Sequence, residues 1–290
     1  MKKITYTNIY GESVTFGSDP PCYLEDLDAN SLASSYGTQK AIGQDGETFS
    51  GVTLNPRTII ATCGFKGVKG GRLSYAEAER IAQQIYRVFL LHHNGTLTYQ
   101  NNVGTYWIAC RPVELPPIET IAGPFKRFSI ELVAEEPFWL SSQPFVLRLG
   151  QVQGGKQYPL RYPLVYGQWV KEASINNDTW LTTPVTVQIT GTADYILITN
   201  ETTGEYIRVD EPIEYNQRMI IWTGREPYVE LITYDDRGNE TERKYANYRL
   251  DLGSRYIKLA PGKNRLTLDN GIPGVLPVAT VEFYKYYQGV

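Results

Sequence analysis

The chain has 290 residues, 42% of them apolar and 20% charged, and its 28 basic and 31 acidic residues leave a formal charge of −3. That length exceeds the usual single core and predicts two domains. The composition excludes disorder, and the interspersed charge offers no basic footprint for nucleic acid or anionic lipid.

Twenty-two tyrosines against two methionines favour strands, where a flat ring fits a half-buried pleated surface. The opening, Met1-Lys2-Lys3-Ile4-Thr5-Tyr6, begins with charge, but polar residues return before an apolar run develops. No later segment approaches the ~20 apolar residues of a membrane span, so the expectation is a soluble chain made without a secretion signal. Cys22, Cys63 and Cys110 are odd in number, far apart and without a C-x-x-C pair, which predicts buried free thiols.

One helix is predicted at about residues 74–91. Ser74 and Glu77 form an S-x-x-E capping box, and Ala78, Ile81, Ala82, Ile85 and Phe89 recur at three- and four-residue spacing as one apolar stripe. Asn94-Gly95 is expected to supply a left-handed residue just past its end. Gly67-Val68-Lys69-Gly70-Gly71 precedes the helix but lacks the Gly-Lys-Ser/Thr ending of a phosphate loop, so it is read as a flexible approach. A hairpin follows, with Leu97-Thr98-Tyr99 and Tyr106-Trp107-Ile108 flanking Asn101-Asn102-Val103-Gly104. Phe128, Ile130 and Leu132 then alternate with Arg127, Ser129 and Glu131 on a strand that Pro137 should end. The first 140 residues thus read as an α+β sheet module carrying one helix.

Residues 141–165, rich in Pro, Gly and Gln, are expected to hold the domain boundary, with a second domain over 166–290. That second domain reads as an antiparallel β-sandwich. Ile196-Leu197-Ile198-Thr199 and Glu205-Tyr206-Ile207-Arg208-Val209 flank the turn Asn200-Glu201-Thr202-Thr203-Gly204 as a hairpin. Val229 to Tyr234, the Asp235-Asp236-Arg237-Gly238-Asn239 turn, Pro261-Gly262-Lys263-Asn264 and the strand around Ala279, Val281 and Phe283 continue the pattern.

A search for catalytic chemistry assigns no catalytic, cofactor-binding or metal residue. His92 and His93 are adjacent, so their side chains diverge, and they read as cations complementing the helix C-terminus. A cysteine nucleophile needs a lowered thiol pKa beside one of them, and nothing places Cys63 or Cys110 there. Glu135-Glu136, Asp235-Asp236 and Glu240-Glu242 are candidate carboxylate pairs for a hydrolase, but they read as turn or edge charges. The run from Asp235 to Glu240 lacks the ligand ladder of a calcium loop. Trp169, Trp180, Trp222 and Tyr228 are the remaining candidates; half-buried aromatics are commoner, but Trp180, Trp222 and Tyr228 are possible contacts for sugar faces.

Several pieces in order carry a resemblance. They are Tyr6 to Ser13, Gly43-Gln44-Asp45-Gly46, Asn55-Pro56-Arg57-Thr58-Ile59, the capped helix and Glu136-Pro137-Phe138-Trp139. Tyr162-Pro163-Leu164, Ile175-Asn176-Asn177, Pro184 with Ile189-Thr190-Gly191, Asn200 to Glu205, Leu259 to Asn264 and the closing Tyr287-Gln288-Gly289-Val290 continue the series. Together they resemble the distal tail proteins of siphophages that infect Gram-positive bacteria. The resemblance implies a mainly β fold, with an N-terminal module that joins a hexameric ring and a C-terminal galectin-like sandwich projecting from it. It further implies a structural hub without enzymatic activity or cofactors, placed at the virion tail tip and assembled in the host cytoplasm. Its partners would be copies of itself, the tail tube and tape-measure proteins, a tail-associated hub or lysin, and receptor-binding proteins, with no nucleic acid and no membrane insertion. The alternative is a carbohydrate-binding module contacting host cell-wall sugars.

Overall fold

The computed structural model describes residues 2–19, 21–66, 74–118, 125–150, 152–153, 168–272, 274 and 277–290. Two compact units emerge: Met1–Ser142 with Tyr287–Val290, and Gln143–Tyr286. The stretch expected as a boundary, 141–165, contributes Phe145–Leu149 as a strand of the second unit, and residues 154–167 lie outside the described residues, as does Gly67–Gly71.

The first unit contains β1 (Lys3–Thr7), β2 (Ser13–Phe16), β3 (Cys22–Asp28), β4 (Ser34–Gln39), β5 (Thr48–Leu54), β6 (Arg57–Lys66), α1 (Tyr75–Val88), β7 (Gly95–Gln100), β8 (Thr105–Pro112), β9 (Phe125–Ala134) and β10 (Trp139–Ser141). Its main sheet runs β2-β1-β7-β8-β9-β6-β3. A bridge from Gly17 to Tyr23 then links the two ends, so the sheet comes round on itself. Strict alternation fills the interior: Ile59, Ala61, Cys63 and Phe65 of β6 face inward with Phe128, Ile130 and Leu132 of β9. Tyr6 stacks on Phe89 at a ring separation of 4.6 Å.

The helix begins as its cap predicts. Ser74 Oγ accepts from the Glu77 amide and the Glu77 carboxylate accepts from the Ser74 amide. It ends earlier than the periodicity suggested, at Val88, with Phe89 as its C-cap. Two expectations are corrected there. His92 and His93 lie in the turn beyond the helix, and the last helical turn carries Arg87, ion-paired with Glu12. Gly95 is not left-handed; it opens β7, where an added Cβ would lie 2.5 Å from Tyr6 Oη and 2.6 Å from the Thr7 carbonyl oxygen.

The second unit contains β11 (Phe145–Leu149), β12 (Val152–Gln153), β13 (Gln168–Trp169), β14 (Glu172–Asn177), β15 (Thr183–Pro184), β16 (Thr186–Thr190), β17 (Ile196–Asn200), β18 (Glu205–Val209), β19 (Gln217–Trp222), β20 (Tyr228–Tyr234), β21 (Glu240–Tyr245), β22 (Lys258–Leu259), β23 (Gly262–Asp269) and β24 (Val278–Phe283). A six-stranded sheet, β11-β24-β16-β19-β20-β21, faces a four-stranded sheet, β14-β23-β17-β18. Val187, Ile189, Met219, Ile221, Leu231 and Val281 from the first meet Ile196, Ile198, Ile207, Val209, Leu266 and Leu268 from the second in one core. The fold is mainly β, with an antiparallel sandwich in its second half.

The turn motifs of the sandwich become one polar lock. Asn177, Asn200 and Asn264 are fully buried. Asn200 Nδ2 donates to Asn264 Oδ1 at 3.0 Å, and Asn264 Nδ2 donates to the Ala260 carbonyl at 2.7 Å. Asn177 Nδ2 donates to the Leu181 carbonyl at 2.8 Å, and its Oδ1 accepts from Thr179 Oγ1. Buried amides are tolerated here because each finds partners in the tight turns around it.

Candidate functional site

β4 and β5 form a two-stranded ribbon of their own. Tyr36 pairs with Val52, Ser34 with Leu54 and Thr38 with Phe49, with an irregularity between Gly37 and Thr38. Because side chains alternate along a strand, Leu54, Val52, Tyr36 and Phe49 share one face, while Ser35, Thr53, Gln39 and Thr48 take the other. Tyr36 and Phe49 are in tilted contact at 6.4 Å, yet remain 71% and 61% exposed. The ribbon therefore has the amphipathic pattern of a half-buried sheet with its apolar face in solvent.

Both ends of the ribbon are built. At the tip, Gln44 Oε1 accepts from the Ala41 amide and Gln44 Nε2 donates to Thr48 Oγ1, while Gly43 and Gly46 adopt positive φ. At the root, Arg57 is fully buried. It donates to three carbonyls: Ala29 at 2.9 Å, Pro137 at 2.7 Å and Gln288 at 2.5 Å. Burial without a directly bonded carboxylate holds its pKa below the usual arginine value. Trp139 Nε1 donates to the same Ala29 carbonyl, and Asn30 exchanges two hydrogen bonds with Val290. The motifs at 55–59, 136–139 and 287–290 thus converge on one clamp beneath the ribbon.

The sequence-derived candidates are dispersed. Trp222 and Tyr228 are directly paired across β19 and β20, with Trp222 Nε1 donating to the Arg225 carbonyl and Tyr228 edge-on to Tyr245 at 6.3 Å. Trp180 stands on the loop between β14 and β15 and is 94% exposed. Trp169 is described in backbone only, as part of β13.

The carboxylate pairs do not converge. Glu135 pairs with Arg111 and Glu240 with Arg243, while Asp235 accepts from the Asn239 side-chain amide and from the backbone amides of Asn239 and Arg237, bonds that lower its pKa. Burial pushes the Cys22 thiol up to about 11 and Cys110 up to about 12, and raises Cys63 as well, so these free thiols are not activated nucleophiles. Among the described residues no cluster of three or more His, Cys, Asp or Glu is placed to hold a metal ion, and no helix is long and apolar enough to cross a membrane.

Two family models match the chain: the phage tail protein RIFT-related domain over residues 10–134, and the siphovirus-type tail component, C-terminal domain, over residues 177–287. Their order defines a structural component of a phage tail. The chain belongs to the siphophage distal tail proteins, the hub family of such tails. No curated protein matches its sequence.

Solved structures share the fold across the whole length. The crystal structure of the Dit protein of phage SPP1, described as a paradigm of the hub adsorption apparatus in phages infecting Gram-positive bacteria, superimposes with a TM-score of 0.64 at 12% identity, covering 98% of this chain and 99% of that one. A chain of the phage P2 baseplate in its activated conformation with Ca gives 0.55 at 12% identity, with both chains covered in full.

The ribbon face and its arginine clamp were not singled out from the sequence. A signal existed in the spacing of Phe49, Val52 and Leu54, but the irregular pairing breaks its period, and the clamp joins residues more than 200 positions apart.

Proposed function

We propose that this chain forms a closed hexameric ring at the distal end of a siphophage tail, connecting the tail tube and tape-measure protein to the tail-tip or baseplate proteins that engage the host. The observation that carries this reading is the β4–β5 ribbon. Its four exposed apolar side chains share one face, on a hairpin that is only marginally stable alone. A neighbouring copy that covers this face removes both liabilities, and repetition of one heterologous contact around a rotation axis closes a ring. The matches to the tail-protein domains and to hub and baseplate structures support the placement in the tail; assembly in the host cytoplasm before lysis belongs to the same proposal.

Mass photometry and negative-stain imaging of the purified chain test it. A species of six chain masses with six-fold rings is expected. A strict monomer at high concentration that is also missing from purified tails overturns the reading. The exposure of Trp180 supports a second role, contact with host cell-wall sugars, which predicts loss of wall binding in Trp180→Ala.

A further inference from the structure

The last residues described, Tyr287–Val290, belong to the first unit and not to the sandwich that precedes them in sequence. Tyr287 lies in β25 (Tyr286–Tyr287), a strand of the first unit's sheet beside β10, and its ring stands edge-on to Tyr106 at 5.2 Å. Tyr287 and Val290 pack against the core of that unit. Between them the Gln288 carbonyl accepts from Arg57 Nη2, while Asn30 Nδ2 donates to the Val290 carbonyl at 3.0 Å and Asn30 Oδ1 accepts from the Val290 amide at 2.9 Å. The segment is thus held by its own backbone groups.

The side chains that hold it stand at the two feet of the ribbon. Asn30 comes just before β4 and Arg57 just after β5, and Asn55 ties the feet together: its amide donates to the Ala33 carbonyl at 3.0 Å and its Oδ1 accepts from Ser35 Oγ at 2.8 Å. Without residues 287–290, Arg57 Nη2 loses its carbonyl acceptor and Asn30 loses both bonds to Val290. A fully buried cation short of an acceptor is driven toward water, and Arg57 can move only with the Ala29 and Pro137 carbonyls that it also holds. A two-stranded hairpin has little stability of its own with which to resist that movement. We propose that residues 287–290 are a strap that makes the order of the β4–β5 ribbon conditional on synthesis having run past the sandwich. Chains are made from residue 1, so the ribbon root stays unfinished until a segment 231 positions beyond Arg57 has emerged. Until then the ribbon's apolar side chains sit on a loose hairpin that presents no fixed face to another molecule. The strap is a property of a single copy and does not rest on the ring.

Millisecond hydrogen-exchange mass spectrometry tests the strap on the whole chain, on a chain ending at Tyr286 and on Asn30→Ala. All three carry Phe49→Ala, with mass photometry reporting copy number, so that loss of a neighbouring copy is not mistaken for loss of the strap. Amides of residues 31–56 should exchange about ten-fold faster in the shortened chain and about three-fold faster in Asn30→Ala, while residues 3–16 and the sandwich residues 168–269 hold their rates. Unchanged exchange over 31–56 in both variants overturns the proposal. So does an equal acceleration of residues 3–16, because the segment would then stabilise the unit as a whole and not the ribbon root. Should the shortened chain fail to fold, Asn30→Ala alone decides between these outcomes.

Discussion

In the β17–β18 hairpin, Ile196, Ile198, Ile207 and Val209 are fully buried, whereas in the β4–β5 ribbon Tyr36, Phe49, Val52 and Leu54 share one face and all remain exposed. Both are antiparallel pairs with glycine-assisted turns. The first is stabilised by what it covers; the second is held in shape at its two ends, by Gln44 at the tip and the Arg57 clamp at the root. A hairpin whose apolar face is shaped but uncovered is the surface that the proposed ring would bury, and on that proposal the contrast separates residues that make the fold from residues that would use it.

The contrast is sharpest where a core side chain is removed. Ile198→Ala should destabilise the sandwich by about 3 kcal/mol, through lost transfer energy and the cavity left behind, read as a lower denaturant midpoint with little change in slope. Asn264→Ala comes next. It leaves Asn200 Nδ2, the Ala260 amide and the Ala260 carbonyl short of a partner in a buried setting, at a cost of about 2 kcal/mol.

The alternation in β9, β17 and β18 was legible in the sequence because every second residue there answers to a single core. So were the helix cap and the main hairpins, whose signals are local. The helix end was misjudged because Phe89 continues the apolar spacing; its ring is held by the stack on Tyr6, a tertiary contact. Gly95 was misread for a similar reason, since its need is close approach to Tyr6 and Thr7 rather than a left-handed turn. At the surface, aromatic type alone pointed to Trp222, whose indole the fold ties to the Arg225 carbonyl. The asparagine lock and the arginine clamp appeared in the sequence only as separate short motifs, because nothing local says that positions 200 and 264, or 57 and 288, will touch.

Between the two hairpins in size of effect lies the helix cap. Ser74→Ala should cost about 1 kcal/mol. The Glu77 carboxylate is held below the usual glutamate range, chiefly by its hydrogen bond from the Ser74 hydroxyl. A carboxylate whose pKa is lowered on folding adds stability above its unfolded value and loses it as pH falls through the folded one. The gap in melting temperature between the native chain and Glu77→Gln should therefore be full near neutral pH and close as pH drops below about 4. A gap that stays constant through that range would show that the carboxylate plays no part.

The smallest stability effect belongs to the ribbon, and it carries the most information about function. Tyr36→Ala and Phe49→Ala should change the stability of the isolated chain by less than about 0.5 kcal/mol, as surface substitutions do. Both side chains are mostly exposed, and their removal opens no cavity. If the face is covered by a second copy, the same substitutions should abolish or greatly weaken ring formation, because large aromatic anchors dominate such contacts. Mass photometry of Phe49→Ala at matched concentration, beside a denaturation curve of the same sample, reads both quantities at once. A stability loss comparable to that of Ile198→Ala would mean that the ribbon packs within its own chain. Intact rings after loss of both aromatic side chains would place the subunit contact on another surface.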